Sequence, residues 1–317
     1  MIERLRRIAH LALDRSLGPR SRDRWRPVVR SSDVSVMTEL LAAQVCARLV
    51  PQSSWPQAAR RLSGFSLPSG PPRERDRIRA QRATAFEIKI QTLAARQGIW
   101  RPAVQWQGLE RIEAALRAGK GVVLWMVNTD FDSSVGKWGC HRAGLAVHHL
   151  SRPEHGFSGS RFGLRFLNPI RTQVEDRWLA GRIRVEGKAT GAMRNARQVL
   201  AEGGIVSIKT GDFEGTGMIE VPHEGRVLRV GAGAPGLCHL LGSALFAVTV
   251  SRISGQNFQI DVGSPIEVDR TLDRRAATVR CAQALARRIA TLNQVQPGAW
   301  RGVYARMNVS AGGPESN

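Results

Sequence analysis

The sequence predicts an α/β fold, with a central, mostly parallel sheet flanked by helices and preceded by an N-terminal helical section. Three observations predict it. From about residue 104, short apolar runs alternate with amphipathic, helix-like segments, the texture of strand–helix–strand units. The run VVLWMV (122–127) contains no polar residue, as a strand buried on both faces requires. The first hundred residues instead show helical spacing without any strand-like run.

The elements follow in chain order. Residues 1–30 hold nine Arg against three acids, with Ile2, Leu5, Ile8, Leu11 and Leu13 near helical spacing. A basic amphipathic helix of this kind suits a membrane surface or a solvated face of its own domain. Residues 34–66 predict a helix with an apolar stripe through Val36, Leu40, Leu41, Val45 and Leu49, broken at Pro51 and near Pro56. SLPSGPP (66–72) is the clearest loop, and 73–98 reads as one long helix stopped by Gly98. Strands are expected at 122–127, 145–153, 205–210, 244–253 and 258–268, with helices at 187–203 and 271–294. A turn and helix follow the first of these strands, with Asp or Ser as the cap. The predicted division is a basic helical section at 1–100, an α/β domain at 101–306 and a flexible tail at 307–317. No internal repeat is visible.

The chain has 317 residues, 42% of them hydrophobic, which suffices for one large domain with appendages. Its formal net charge of +21 favours an anionic partner such as a phospholipid surface or an acidic substrate. Of the 47 basic residues only five are Lys, so base composition of the genome is an alternative source of the excess. Arg is nevertheless the better bidentate phosphate ligand. Cys46, Cys140, Cys238 and Cys281 stand far apart with no CxxC, which reads as buried or free thiols in a reducing compartment and not as a metal site. No run of 18 apolar residues exists, and the N-terminal apolar stretch is broken by His10, Asp14 and Arg15. The expected location is therefore the cytoplasm, without a span or a secretory leader.

Several segments, taken in order, carry a family resemblance. VQWQGLERIEAALRAGKGVVLW (104–125) leads into the first apolar strand. HHLSRP (148–153) ends a second strand on Arg-Pro, and KTGDFEGTGMIEVPHEGR (209–226) is a Gly-rich acidic loop. GAPGLCHLLGSALFAVTV (233–250) then gives a helix and a strand, and QPGAWRGVYARMN (296–308) closes the series. This order resembles the lysophospholipid acyltransferase superfamily, in its lipid A acyltransferase branch. The resemblance implies a glycerol-3-phosphate acyltransferase-like sheet and acyl transfer from acyl carrier protein or acyl-CoA, with no cofactor. It also implies a site at the inner face of the cytoplasmic membrane, where an acceptor lipid, sugar or amine would be met.

In that family a His acts as general base and a carboxylate five positions later orients it. Here Asn128 stands in place of the His and Ser133 in place of the acid. Asn has no basic nitrogen and cannot take a proton at neutral pH. Three readings stay open. Asp130 or Asp132, or one of His141, His148 and His149, could act as base in a rewired site; His148 and His149 face opposite sides of a strand, so at most one reaches it. Alternatively Asn128 and Asp132 hold the substrate, with Asn128 as oxyanion donor and proximity as the main device. Or the chain is a catalytically inactive relative that binds a lipid or acyl chain; Asn, Thr and Asp are also ordinary turn residues after a strand.

The resemblance places Arg152 on an anionic substrate group. Asp212, in the Gly-rich loop, is a further substrate-binding candidate, with Lys209 and Arg226 as weaker basic ones. Competing classes are poorly supported. GFSGS (156–160) lacks the final Gly of a nucleophile elbow. GAGAPG (231–236) lacks the strand–turn–helix context of a dinucleotide site. One Tyr and 6% aromatic residues leave few stacking surfaces, so nucleic acid is not the expected partner despite the charge.

Overall fold

The computed structural model describes residues 29–63, 72–185, 190–211, 217–295 and 303–304. The basic stretch through residue 28, the 66–71 loop, Asp212 and most of the closing Trp300 segment lie outside the described residues.

Among the described residues three helices come first: α1 (Ser31–Leu49), α2 (Trp55–Ser63) and α3 (Pro72–Arg96), with a 3-10 turn at Gln52–Ser54 between the first two. The alternating part runs β1 (Ala103–Gln107), α4 (Leu109–Arg117), β2 (Val122–Met126), α5 (Ser134–Arg142), β3 (Val147–Ser151) and α6 (Asn168–Asp176). It continues through β4 (Gly181–Arg184), α7 (Thr190–Ala201), β5 (Ile205–Lys209), β6 (Met218–His223), β7 (Arg226–Gly231) and α8 (Gly233–Leu241). It ends with β8 (Ala244–Ser254), β9 (Asn257–Ile266), α9 (Arg274–Val295) and β10 (Val303–Tyr304). The main sheet has seven strands in the order β1-β9-β8-β2-β5-β3-β4, and a three-stranded sheet has the order β10-β7-β6. The pairs β2/β5, β2/β8 and β3/β4 are parallel. The α/β class and the helical section before it are thus as the sequence predicts.

The chain divides into two compact units, each built from separated stretches: Met1–Gln105, Ser133–Asn195 and Arg252–Ile260 in one, Trp106–Asp132, Ala196–Ser251 and Asp261–Asn317 in the other.

In the first unit, α1 corrects the predicted stripe. Leu40 is buried, but Leu41, Val45 and Leu49 are exposed, Leu49 by 77%. The buried face is Leu40, Ala43, Cys46 and Ala47, because small side chains let α1 pack closely on α3. The inner face of α3 is partly polar. Gln91 Nε2 donates to Gln256 Oε1 at 3.2 Å, Gln256 Nε2 donates to Glu87 Oε1 at 2.8 Å, and Arg252 pairs with Glu87. Trp100 Nε1 completes the network by donating to Gln256 Oε1 at 3.1 Å. Trp100, Trp138 and Trp178 pack together with ring centroids 5.5 to 6.0 Å apart.

In the second unit, every residue of β2 is buried, because β2 has a parallel neighbour on each side, β5 and β8. Gly121, just before it, sits against the end of α7. A Cβ added there would lie 2.3 Å from the carbonyl oxygen of Leu200, which belongs to backbone and cannot swing away. Gly121→Ala is therefore expected to destabilise the fold by about 1–3 kcal/mol, as overpacking does. A urea midpoint within error of wild type would refute this.

The stretch read as a long Gly-rich loop is largely a hairpin. β6 and β7 pair antiparallel, with His223 opposite Arg226. Glu224 and Gly225, between them, both have positive φ (48° and 71°), as a two-residue type I′ turn requires. The four cysteines are all buried and free. No helix among the described residues is long and apolar enough to cross a membrane.

Candidate active site

In parallel α/β sheets, ligands bind beyond the carboxyl ends of the strands, where the following turns expose backbone groups and side chains. In the second unit β2 and β5 run side by side, with Met126 opposite Lys209. Their carboxyl ends bring together two sequence candidates. Lys209 Nζ lies 3.1 Å from Asp132 Oδ2, and the Asp132 side chain is only 4% exposed. The Lys209 side chain is 16% exposed, so the pair has one accessible partner.

Asn128 follows β2 directly, and its backbone N–H donates to Thr210 Oγ1 at 3.3 Å. Thr210 is itself pinned. Its N–H donates to Met126 O at 3.0 Å and its carbonyl accepts from Gly231 N at 3.0 Å. Gly211 lies against the Asn128 amide, since a Cβ at 211 would come within 3.0 Å of Nδ2. Asn128 Oδ1 and Thr129 Oγ1 are buried and have no hydrogen-bond partner among the described residues. Buried polar atoms without partners are rare and mark places where a ligand's polar groups gain most. Asp130 is half-buried in the same turn. Asp132 is buried and held by a cation.

The remaining candidates lie in the first unit. Arg152 is half-buried at the carboxyl end of β3. His148 packs over Gly181, where an added Cβ would meet its ring at 2.7 Å. His149 is buried, with its ring 6.3 Å from that of His155. His141 stands beside Trp138. Ser133 occupies the N-cap of α5, but its hydroxyl makes no capping bond, so the predicted cap is positional only. Asp212 lies outside the described residues.

Sequence reasoning missed a buried charge cluster in the first unit. Glu175, 2% exposed, accepts from Lys137 Nζ at 2.5 Å, Arg171 Nε at 2.8 Å and Arg182 Nη2 at 3.1 Å. His155 Nε2 lies 2.7 Å from the same carboxylate. The residues come from four separate segments, and only Arg171 and Glu175, four apart on α6, form a local pair. The loop between β3 and α6 is stitched to this cluster and to α1. Asp33 Oδ1 accepts from the hydroxyls of Ser158 at 2.5 Å and Ser160 at 2.7 Å. Asn168 Oδ1 accepts from the N–H groups of Phe157 and Ser158 at 2.8 and 2.9 Å.

Burial pulls the His155 pKa down to about 3; Glu175 works against this, and Lys137 and Arg171 reinforce it. The unfolded chain then takes up that proton first as the pH falls. His155 therefore contributes stability above about pH 6.5 that is lost progressively towards pH 3. Burial lowers Lys137 to about 8, with a consequence of the same sign in a higher window: stability rises as the pH goes from 8 towards 10.5. The acid-side slope of melting temperature between pH 6.5 and 5 is expected to be shallower in His155→Gln than in wild type. An unchanged slope would show that His155 is not held neutral.

Among the described residues no group of three His, Cys, Asp or Glu side chains is placed to hold a metal ion. Comparison with known protein families finds no family model that matches the chain, and comparison with characterised proteins finds no matching relative. The chemistry of the site therefore rests on its own geometry.

Proposed function

We propose that this chain transfers an acyl group from a thioester, carried by acyl carrier protein or coenzyme A, to a lipid, sugar or amine acceptor at an anionic membrane surface. The observation that carries the reading is the pair of buried Asp132 with Lys209 at the carboxyl ends of β2 and β5, beside Asn128 Oδ1 and Thr129 Oγ1, which have no hydrogen-bond partner among the described residues. The order of sequence segments that resembles the lipid A acyltransferase branch supports the same chemistry. Asp132 replaces the missing His as proton acceptor. The acceptor hydroxyl or amine attacks the thioester carbonyl carbon and gives its proton to Asp132. The carbonyl oxygen gains the negative charge and is met by the Asn128 amide N–H or the Lys209 ammonium. Collapse of the tetrahedral adduct re-forms the carbonyl and breaks the carbon–sulfur bond, and the thiolate leaves with the proton returned from Asp132. The resemblance assigns Arg152 an anionic substrate group. The net charge of +21 favours residence at an anionic surface.

A second reading is favoured by the same ion pair. A carboxylate already satisfied by an ammonium is a poorer base, which suits a protein that binds a lipid or acyl chain without turning it over. One assay separates the two. Free thiol release is followed with acyl carrier protein and coenzyme A thioesters of several chain lengths, with vesicles of anionic phospholipid present. Thiol release that depends on acceptor supports acyl transfer. No release with any donor, alongside saturable vesicle binding, supports the binding protein. Equal affinity for duplex DNA and anionic vesicles at matched salt would refute the membrane partner in both readings.

A further inference from the structure

A cavity of about 470 Å³ lies in the second unit, at the amino-terminal ends of β2 and β8. This is within the roughly 300–1,000 Å³ range of small-molecule sites. It is at the other end of β2 from Asp132 and Lys209, and β2 alone is about 13 Å long at about 3.3 Å per residue. It is therefore separate from the candidate active site.

Its lining has two chemically distinct parts. Cys238, Phe246, Pro265 and Ile266, with alanines of α4, make an apolar wall. Arg111, Lys120 and Arg270 are its charged members, and none of its lining residues among those described is acidic. Two of the three cations are positioned. Arg111 Nη1 donates to Val262 O at 2.5 Å, and Arg270 Nε donates to His239 O at 3.0 Å. Arg111 Nε also faces the exposed Glu110 Oε1 at 3.8 Å, and each guanidinium keeps further donors of its five. Gly242, at the end of α8, has φ of 71°, and a Cβ there would lie 3.0 Å from Arg270 Nη1. The backbone thus leaves room for the guanidinium where a side chain would crowd it. An apolar pocket whose described lining holds cations and no carboxylate is complementary to a molecule with an apolar body and one anionic end.

We infer that this cavity is a binding site for a single-chain amphiphile carrying one anionic group, a carboxylate or a phosphate ester. The apolar wall takes the chain by removing its surface from water. Arg270, Lys120 and Arg111 hold the head group. A neutral analogue loses the second contribution, and a bare anion loses the first.

The test is calorimetric titration of the full chain with decanoate, decyl phosphate, decan-1-ol and inorganic phosphate, all below micelle-forming concentrations. Decanoate or decyl phosphate is expected to bind at one saturable site, at least tenfold more tightly than decan-1-ol or inorganic phosphate. Which of the two anions binds more tightly tells a carboxylate ligand from a phosphate ester. Lys120→Gln with Arg270→Gln is expected to weaken the preferred anion at least tenfold with the melting temperature unchanged. Ala114→Trp, on the exposed side of α4, is expected to block the cavity and abolish binding. Asp132→Asn is expected to leave it unaltered, so failure of the acyl-transfer reading and failure of this site are distinguishable. Equal affinity for decanoate, decyl phosphate and decan-1-ol would overturn the inference. So would inorganic phosphate binding as tightly as decyl phosphate, or wild-type affinity in Ala114→Trp.

Discussion

Glu175→Gln is expected to lower the folding free energy by about 3–5 kcal/mol, the range for breaking a buried ion pair by removing one partner. The substitution keeps the shape of the side chain and removes its charge. Lys137, Arg171 and Arg182, with side chains 5%, 14% and 6% exposed, are then left facing one another without Glu175. Arg182 still has Asp176 at 2.6 Å, but Asp176 is 41% exposed and its contribution is screened. Lys137 has a route of relief that the two Arg lack. Its pKa is already lowered to about 8 by burial, and without Glu175 it shifts further towards the neutral amine. The deficit in Glu175→Gln is therefore expected to shrink when denaturation is repeated at pH 9. Lys137→Met combined with Glu175→Gln should recover part of the loss at pH 7. Urea midpoints at both pH values make the measurement. A loss below about 1 kcal/mol would mean that water reaches these cations and that the cluster acts as a surface network.

Under the proposed acyl-transfer function, Asp132→Asn is expected to reduce turnover by about 10²–10⁴-fold, the range for loss of a positioned proton acceptor. Asn keeps the size of the side chain and can still accept a hydrogen bond from Lys209, but it cannot take a proton. Asn128→Ala is expected to cost about 10²–10³-fold in kcat, as loss of an oxyanion donor does. Asp130→Asn should stay within a few-fold of wild type. Asp132→Asn leaves Lys209 without its anion, so Asp132→Asn with Lys209→Met serves as the control for folding. Activity near wild type in Asp132→Asn would remove Asp132 from the mechanism. A loss of tenfold or more in Asp130→Asn would move the role to that carboxylate.

The regular parts of this architecture are legible in the sequence for a simple reason. β2 pairs on both sides, so all of its side chains are buried and its sequence is an uninterrupted apolar run. The short strands β1 and β4 lie at the sheet edges, where exposed residues such as Gln105, Gln107 and Arg184 blur the pattern. β6 and β7 were hidden behind glycines, and the Glu224–Gly225 turn is weaker as a signal than Asn-Gly. Leu41, Val45 and Leu49 fit a helical stripe as well as the buried residues do, because periodicity finds an apolar face without saying whether a partner covers it.

The chemistry divides along the same line. Sequence order alone singled out Asn128 and Ser133 as the positions where the resembled family's pair is absent, and Asp132 and Lys209 as separate candidates. Those are local facts about residue type after a strand. That Asp132 and Lys209 form one pair depends on β2 and β5 lying side by side in parallel, 77 positions apart in the chain (209 less 132). The Glu175 cluster and the cationic cavity were invisible for the same reason. Apart from Arg171 and Glu175, four apart on α6, their charged groups come from segments with no shared spacing, and a charge written in a sequence carries no record of its burial or its neighbours. Residue type and periodicity are properties of the chain, whereas ion pairing and pKa shifts are properties of distance and dielectric, which exist only once the sheet has formed.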